Sequence, residues 1–364
     1  MIPITRPSLP PLEEFVALLE KIWSSKMLSN FGEFSQQLEQ AVAEYLDIQH
    51  VRSVVSADIG LILTLKALDL PEGAPCYISD FTFNSTINAA LWAGLRPVLV
   101  DIDEETFNMD PSSLSAASEE VATKGVILPT HVFGNPCDIE ALSAIADEKG
   151  LFLVFDAAHA LGSRRGSAQV GTFGDAEVFS LSGTKLVTSA EGGLIATKHD
   201  WLSEKVAYLR AYGFQHDYVS RVLGMNGKIS EVHSALGLLN FKNIEQTVHK
   251  RLELVATYRA RLGESVNWQK ISREDRSSYK DISLLLGDRR NDVEDALLAC
   301  DVQTKRYFRP LHTMDLYSSF CGESSLAHSS AVYASSLCIP AFSDITEEEI
   351  ELICETVLEA LASG

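Results

Sequence analysis

Positive charge is scarce in this chain. Its 364 residues carry 30 lysines and arginines against 50 aspartates and glutamates, a formal net charge of −20. Nucleic-acid binding needs a basic footprint, so that class is excluded, and so is attachment to an anionic membrane surface. A small anionic ligand is not excluded, because a local pocket can oppose the global sign. Long apolar runs are lacking too. No uninterrupted stretch has the length that spans a bilayer. The start, Met1-Ile2-Pro3-Ile4-Thr5-Arg6-Pro7, has no signal-peptide apolar region. Six cysteines, Cys76, Cys137, Cys300, Cys321, Cys338 and Cys354, form no CxxC pair, which removes the common zinc and disulfide frameworks. A reducing cytoplasm is the expected compartment, and no metal is expected. Nucleotide loops are missing as well: no GxGxxG follows a strand, and no GxxxxGK precedes Ser or Thr. A GxSxG nucleophile elbow is also absent.

What remains is an ordinary globular profile, 46% hydrophobic and 22% charged, long enough for one large domain and one smaller one. Residues 12–23, 34–46, 59–68, 84–94, 111–118 and 138–149 read as helices. Between them, 50–55, 76–79, 98–101, 126–129 and 151–155 read as strands. This alternation predicts an α/β fold, with a mostly parallel central sheet flanked by helices. Residues 229–262 read as one long helix or a kinked pair. Shorter elements follow from about residue 268, and these predict a smaller C-terminal α+β domain. The expected division is 1–240 for the large domain and 241–364 for the linking helix and small domain. The N-terminal segment 1–30 is free to pack on the latter.

One stretch organises the chain. An apolar strand delivers Asp156, followed by Ala157-Ala158-His159-Ala160. A second run, Val178-Phe179-Ser180-Leu181-Ser182-Gly183-Thr184-Lys185, leads into Ala190-Glu191-Gly192-Gly193. Ligands of open α/β sheets gather beyond the carboxyl ends of strands, so Asp156, Ser180 and Lys185 are placed to face one pocket. An acid, a hydroxyl and an amine held together suit a lysine Schiff base to pyridoxal phosphate, with the aspartate on the pyridinium nitrogen. Each residue also has a plainer reading: Asp156 as the cap of a helix starting at Ala157, Lys185 as a surface lysine, and His159 as a satisfied core histidine. Ser56-Ala57-Asp58 opens a helix after a strand, a junction that presents free N–H groups to an anion. Ser56 or Asp58 is the expected cap there.

Taken together, the motifs resemble the DegT/DnrJ/EryC1/StrS family of pyridoxal-phosphate-dependent aminotransferases. The resemblance runs from Ile4-Thr5-Arg6-Pro7 through Asp80-Phe81-Thr82-Phe83, Val100-Asp101-Ile102-Asp103 and His131-Val132-Phe133-Gly134-Asn135-Pro136. It continues through the Asp156 and Lys185 runs to Asn226-Gly227-Lys228-Ile229-Ser230-Glu231 and Pro310-Leu311-His312. It implies a type I aminotransferase fold and a homodimer with shared active sites. By position, Lys185 matches the Schiff-base lysine and Asp156 the pyridine-nitrogen partner. His159 falls near the 3-oxygen, and Phe83 is the stacking aromatic. Ser180, Ala57 and Asp58 lie at the phosphate, and Asn226 is a phosphate ligand given by the other subunit. Asn30, Gly32 and His312 are the implied substrate contacts.

The implied reaction moves an amino group from glutamate to a nucleotide-linked keto sugar, with dTDP-4-keto-6-deoxyhexose favoured, the cofactor cycling between its PLP and PMP forms. Related dehydratases have His where this chain has Lys185, so the lysine points to transamination. Asp58 departs from the family's threonine, and a carboxylate beside a phosphate repels it. The expectation is that its side chain turns away as a helix cap. Two rivals stay open: a non-catalytic regulatory or sensor protein of the same fold, and an aminotransferase acting on a keto-cyclitol or other non-nucleotide sugar.

Overall fold

The structure is a computed structural model that describes residues 1–119, 124–214, 217–320 and 326–363. Cys321, and Gln215 and His216 of the polar loop, lie outside the described residues. Two helices, α1 (Leu12–Ser25) and α2 (Glu33–Leu46), precede β1 (His50–Val54). The alternation read from the sequence then follows: α3 (Ala57–Ala67), β2 (Pro75–Ser79), α4 (Asn84–Trp92), β3 (Arg96–Val100), α5 (Pro111–Ala117), β4 (Val126–Leu128), α6 (Ile139–Lys149) and β5 (Phe152–Asp156). A short hairpin, β6 (Arg164–Arg165) and β7 (Ala168–Gln169), leads to β8 (Ala176–Ser180), β9 (Gly193–Thr197) and α7 (Asp200–Leu209). The remaining elements are α8 (Glu231–Phe241), α9 (Ile244–Leu262), β10 (Asn267–Trp268), β11 (Ile282–Leu285), α10 (Arg290–Ala299), α11 (Ala327–Ser335), β12 (Ser336–Ile339) and α12 (Glu347–Ala362).

Seven strands form the central sheet in the order β1-β9-β8-β5-β4-β2-β3. The pairs from β8 through β3 are parallel, and β9 alone runs against both its neighbours. A parallel sheet is covered on both faces, so its strands are nearly all apolar. Alternate side chains divide between the two faces. Cys76, Ile78, Val154 and Val178 pack with α3, α4 and α7. Tyr77, Ile127, Leu153 and Phe155 pack with α5 and α6, and Phe179 and Leu194 with α2 and α8.

Helix ends follow local chemistry. Asp138 caps α6 through Ala141 N, and Gly150 closes it in the left-handed region (φ 64°). Thr346 and Glu349 form a capping box on α12. The stretch 229–262 is two helices, broken where Asn243 leaves the helical region (φ −104°, ψ 14°). Neither Gly nor Pro marks that break. It is imposed by packing, since Phe241 and Ile244 on either side both enter the same core.

A second core lies under the antiparallel sheet β10-β11-β12, where Tyr258, Leu284, Leu297, Ile339 and Ile353 meet. Helix α9 joins the two cores. Its Ile244 and Val248 belong to the first, and its Leu254, Val255, Tyr258 and Leu262 to the second. Ile2 also enters the second core, and its N–H donates to Asp301 O at 2.8 Å.

The start of β9 presses on the start of α3. A methyl on Gly193 would lie 2.7 Å from Ala57 N and from Ser56 C. Overpacking of this kind costs about 1–3 kcal/mol. Gly193→Ala is expected to lower the thermal unfolding midpoint while leaving the far-ultraviolet circular dichroism of the folded protein unchanged. An unchanged midpoint would show that the contact is slack.

Candidate active site

The carboxyl ends of β5 and β8 and the amino end of α3 enclose a cavity of about 280 Å³. Asp156 is the last residue of β5 and is 3% exposed. Its Oδ2 accepts from Thr86 Oγ1 at 2.7 Å and its Oδ1 from Ala158 N at 3.0 Å. No helix begins at Ala157: residues 158–159 and 161–162 are turns, so the capping reading of Asp156 is replaced by a tight turn over its own carboxylate. Thr86 must donate to the carboxylate, so its oxygen accepts from Thr82 at 2.9 Å, and Thr82 in turn accepts from Thr130 at 2.7 Å. All three hydroxyls are buried.

Lys185 sits on the loop after β8. The loop is closed by Leu181 N to Gly192 O (2.9 Å), Ser189 N to Leu181 O (2.8 Å) and Lys185 N to Ser182 O (3.0 Å). Asn240 of α8 donates to Thr188 O at 2.7 Å and fixes the loop from behind. Burial first, and the cation of Lys280 second, push the Lys185 amine down to about 8. Burial raises Asp156 against the opposing pull of Thr86, Ala158 and Lys185. His159 lies well below its usual value, through burial and then the nearby Lys185 and Lys280 cations. It is therefore neutral. Its Nδ1 accepts from Phe133 N at 3.3 Å, which leaves the proton on Nε2. Its ring lies against both Phe133 and Phe308, which also touch each other, with interplanar angles of 17° to each.

The anticipated residues Ala57, Asp58, Phe83, Asp156, His159, Ser180 and Lys185 all line this one cavity. The cap of α3 is Ser56, whose Oγ accepts from Ile59 N at 3.2 Å, and not Asp58. Asp58 stands in the first turn of α3, exposed. Among the described residues its carboxylate takes no hydrogen bond or ion pair, so it does not turn away as a cap. Asn30 and Asn226 lie elsewhere, in a separate cavity of about 770 Å³ with Arg52, Arg210, Tyr212 and Lys228. Gly32 sits under Glu231, whose carboxylate accepts from Phe34 N (2.7 Å) and Ser35 N (3.1 Å). A methyl on Gly32 would lie 2.6 Å from that carboxyl carbon. His312 is tied to Asp80 through its N–H (2.9 Å) and Nδ1 (2.6 Å) and does not line the Lys185 cavity.

Sequence reading missed Lys280, Tyr307 and Phe308, which close the cavity from the C-terminal third of the chain. No periodicity or spacing ties them to Lys185. It also missed Thr86, whose hydroxyl looks like any other in the first turn of a helix.

The arrangement is selective. A buried carboxylate and an amine of lowered basicity share one cavity, which the rings of Phe83 and His159 also line. Hydroxyls of Ser56, Ser180 and Ser182 and the amino end of α3 line the same cavity. The sequence model of the DegT/DnrJ/EryC1/StrS aminotransferase family matches residues 12–358. The chain belongs to that family. It is an aminotransferase, 32% identical to the dTDP-4-amino-4,6-dideoxy-D-glucose transaminase of Escherichia coli, over 98% of both chains. It is 29% identical to the GDP-perosamine synthase of Escherichia coli O157:H7, again over 98% of both. Among solved structures, DesI in the presence of its TDP-sugar product superposes with a TM-score of 0.92 at 29% identity, covering 100% of this chain and 93% of that one.

The residues of the aminotransferase fit pyridoxal phosphate by their donor set. Asp156 suits a protonated ring nitrogen, Lys185 the aldehyde, the two rings its faces, and the serines with the α3 N–H groups its phosphate. Asp58, in the first turn of α3, has the wrong sign for that phosphate.

The neutral fraction of Lys185 rises as pH passes through about 8. Reductive methylation of cofactor-free protein, read by mass spectrometry at this lysine, is expected to show its midpoint there. A midpoint at the ordinary lysine value would mean that the cavity does not desolvate it.

Proposed function

We propose that this aminotransferase moves an amino group from glutamate to a nucleotide-linked keto sugar, with a dTDP-linked 4-keto-6-deoxyhexose as the leading acceptor. One observation carries the reading: Lys185 and Asp156 line a single cavity whose lining also includes the rings of Phe83 and His159. The names of the curated relatives support the sugar and the nucleotide. Pyridoxal phosphate, when bound, supplies an aldehyde carbon for amine exchange and a ring that takes up electrons.

The chain does the rest. The depressed basicity of Lys185 lets it act as a nucleophile near neutral pH and then carry a proton as a general base. Asp156, held by Thr86 and Ala158, would hold a proton on the ring nitrogen of the bound cofactor. His159 offers its Nε2–H, and Phe83 stacks. Ser180, Ala57 N–H and Asp58 N–H serve the phosphate. Asn226 and Asn30, absent from this cavity, serve the site of a second subunit, and Gly32 and His312 shape the sugar's approach. In this reading residues 1–240 form the cofactor domain and 241–364 the linking helix and small domain.

Lys185→Ala is expected to replace the wild-type visible band of the cofactor-loaded protein with the spectrum of unattached pyridoxal phosphate, and to lower transfer to a nucleotide keto sugar by at least about 10³-fold. Retention of both would end the proposal. A second reading, a non-catalytic cofactor sensor, is favoured by the unpaired Asp58 carboxylate. Asp58→Thr removes a charge that opposes the phosphate and is expected to tighten pyridoxal phosphate by about tenfold in an absorbance titration. If wild type retains cofactor and still transfers no amine from glutamate to any member of a keto-sugar panel, the sensor reading takes over.

A further inference from the structure

Lys280 is a lysine the mechanism leaves unused. It lines the Lys185 cavity, yet its side chain is only 5% exposed. Its position is built. Tyr279, just before it, adopts the left-handed region (φ 47°), a conformation a bulky side chain seldom takes without tertiary support. Ser278 is stitched on both sides: its Oγ donates to His159 O at 2.7 Å, and its N–H donates to Ser163 Oγ at 3.0 Å. Lys280 N–H donates to Phe133 O at 3.0 Å. The cation is thereby locked to the segments that carry the aromatic wall.

The charge around it does not balance. Lys280 Nζ reaches both oxygens of Asp281, at 2.9 and 3.1 Å. Arg251 of α9, 5% exposed, feels the same carboxylate. Among the described residues its Nε and Nη1 have no hydrogen-bond partner. Two buried cations share one buried anion, and a buried positive charge without a counter-ion is costly. The acids lining the cavity do not repair this. Asp156 is engaged by Thr86 and Ala158, while Asp58 and Glu191 are exposed, where water weakens their field.

We propose that Lys280 is the binding residue for a carboxylate of the amino donor, with Asp281 holding its ammonium in place when no donor is bound. This rests on the transaminase reading above. An amino acid would bring its amine to the cofactor's aldehyde carbon, beside Lys185, together with at least one carboxylate. The reacting end of a keto sugar brings no charge. A buried cation beside the reactive amine therefore recognises the donor and is indifferent to the acceptor.

The test uses cofactor-loaded protein, with glutarate as a dicarboxylate that cannot react and glutaramide as its uncharged control. Calorimetry is expected to show glutarate binding to wild type and to Lys280→Arg, at least tenfold weaker binding to Lys280→Met, and no difference among the three with glutaramide. In single turnovers, Lys280→Met should raise the glutamate concentration for half-maximal rate at least tenfold. Because Lys280→Met also removes a cation that lowers the Lys185 amine, the keto-sugar step from protein loaded with the amine form is compared at each variant's own pH optimum, where it should stay within about threefold of wild type. Thermal unfolding of both variants checks that they fold.

Glutarate binding that is equal in wild type and Lys280→Met overturns the proposal, as does an equal loss in both half-reactions. A shift of the visible band in Lys280→Met with unchanged glutarate binding assigns Lys280 to the cofactor and overturns it as well. If glutarate binds through Lys280 but glutamate supports no transfer in wild type, the carboxylate site stands and the transaminase reading falls.

Discussion

A carboxylate sealed inside an apolar sheet end is the constraint around which the rest is arranged. Asp156 closes β5 with almost no contact with water, and a charge placed there is unstable unless fixed donors replace the lost hydration. Thr86 and Ala158 N–H provide two, and the Lys185 cation adds a longer-range third. Each support imposes geometry. The turn after β5 must fold back over the carboxylate, α4 must present Thr86 at its amino end, and the loop after β8 must carry a lysine inward.

The same economy of solvent governs the amine. An acidic protein would ordinarily raise the basicity of its lysines, yet Lys185 is lowered. Burial wins over the global field because it acts at the atom itself, while most of the 50 acids are distant and screened. Lys280 strengthens the effect from across the cavity. The sign of a whole chain therefore says little about a pocket this small.

Much of this was legible in the sequence. The strand run ending at Asp156 and the small polar run ending at Lys185 stand beside each other in the chain, and parallel pairing of β5 with β8 brings their ends together in space. Short-range signals also located most helices and strands of the sheet, because alternating elements with sharp caps leave strong local patterns. What stayed hidden came from tertiary packing. The break at Asn243 has no breaker residue and exists because two apolar side chains turn into one core. Lys280 is 95 positions beyond Lys185 and reaches the cavity only through the stitching of Ser278 and Phe133. Asp58 was misjudged as a cap, because Ser56, two residues earlier, reaches the free N–H first.

The threonine relay has a consequence for how the site holds its shape. Each hydroxyl owns one hydrogen, so the order Thr130 to Thr82 to Thr86 to Asp156 admits only one polarity. The carboxylate thus registers the position of a residue just past the tip of β4, two side chains removed from it. Any slippage between neighbouring strand tips would break a link and loosen the acid's grip. Alignment of the sheet's edge and electrostatics of the pocket are in that sense a single property.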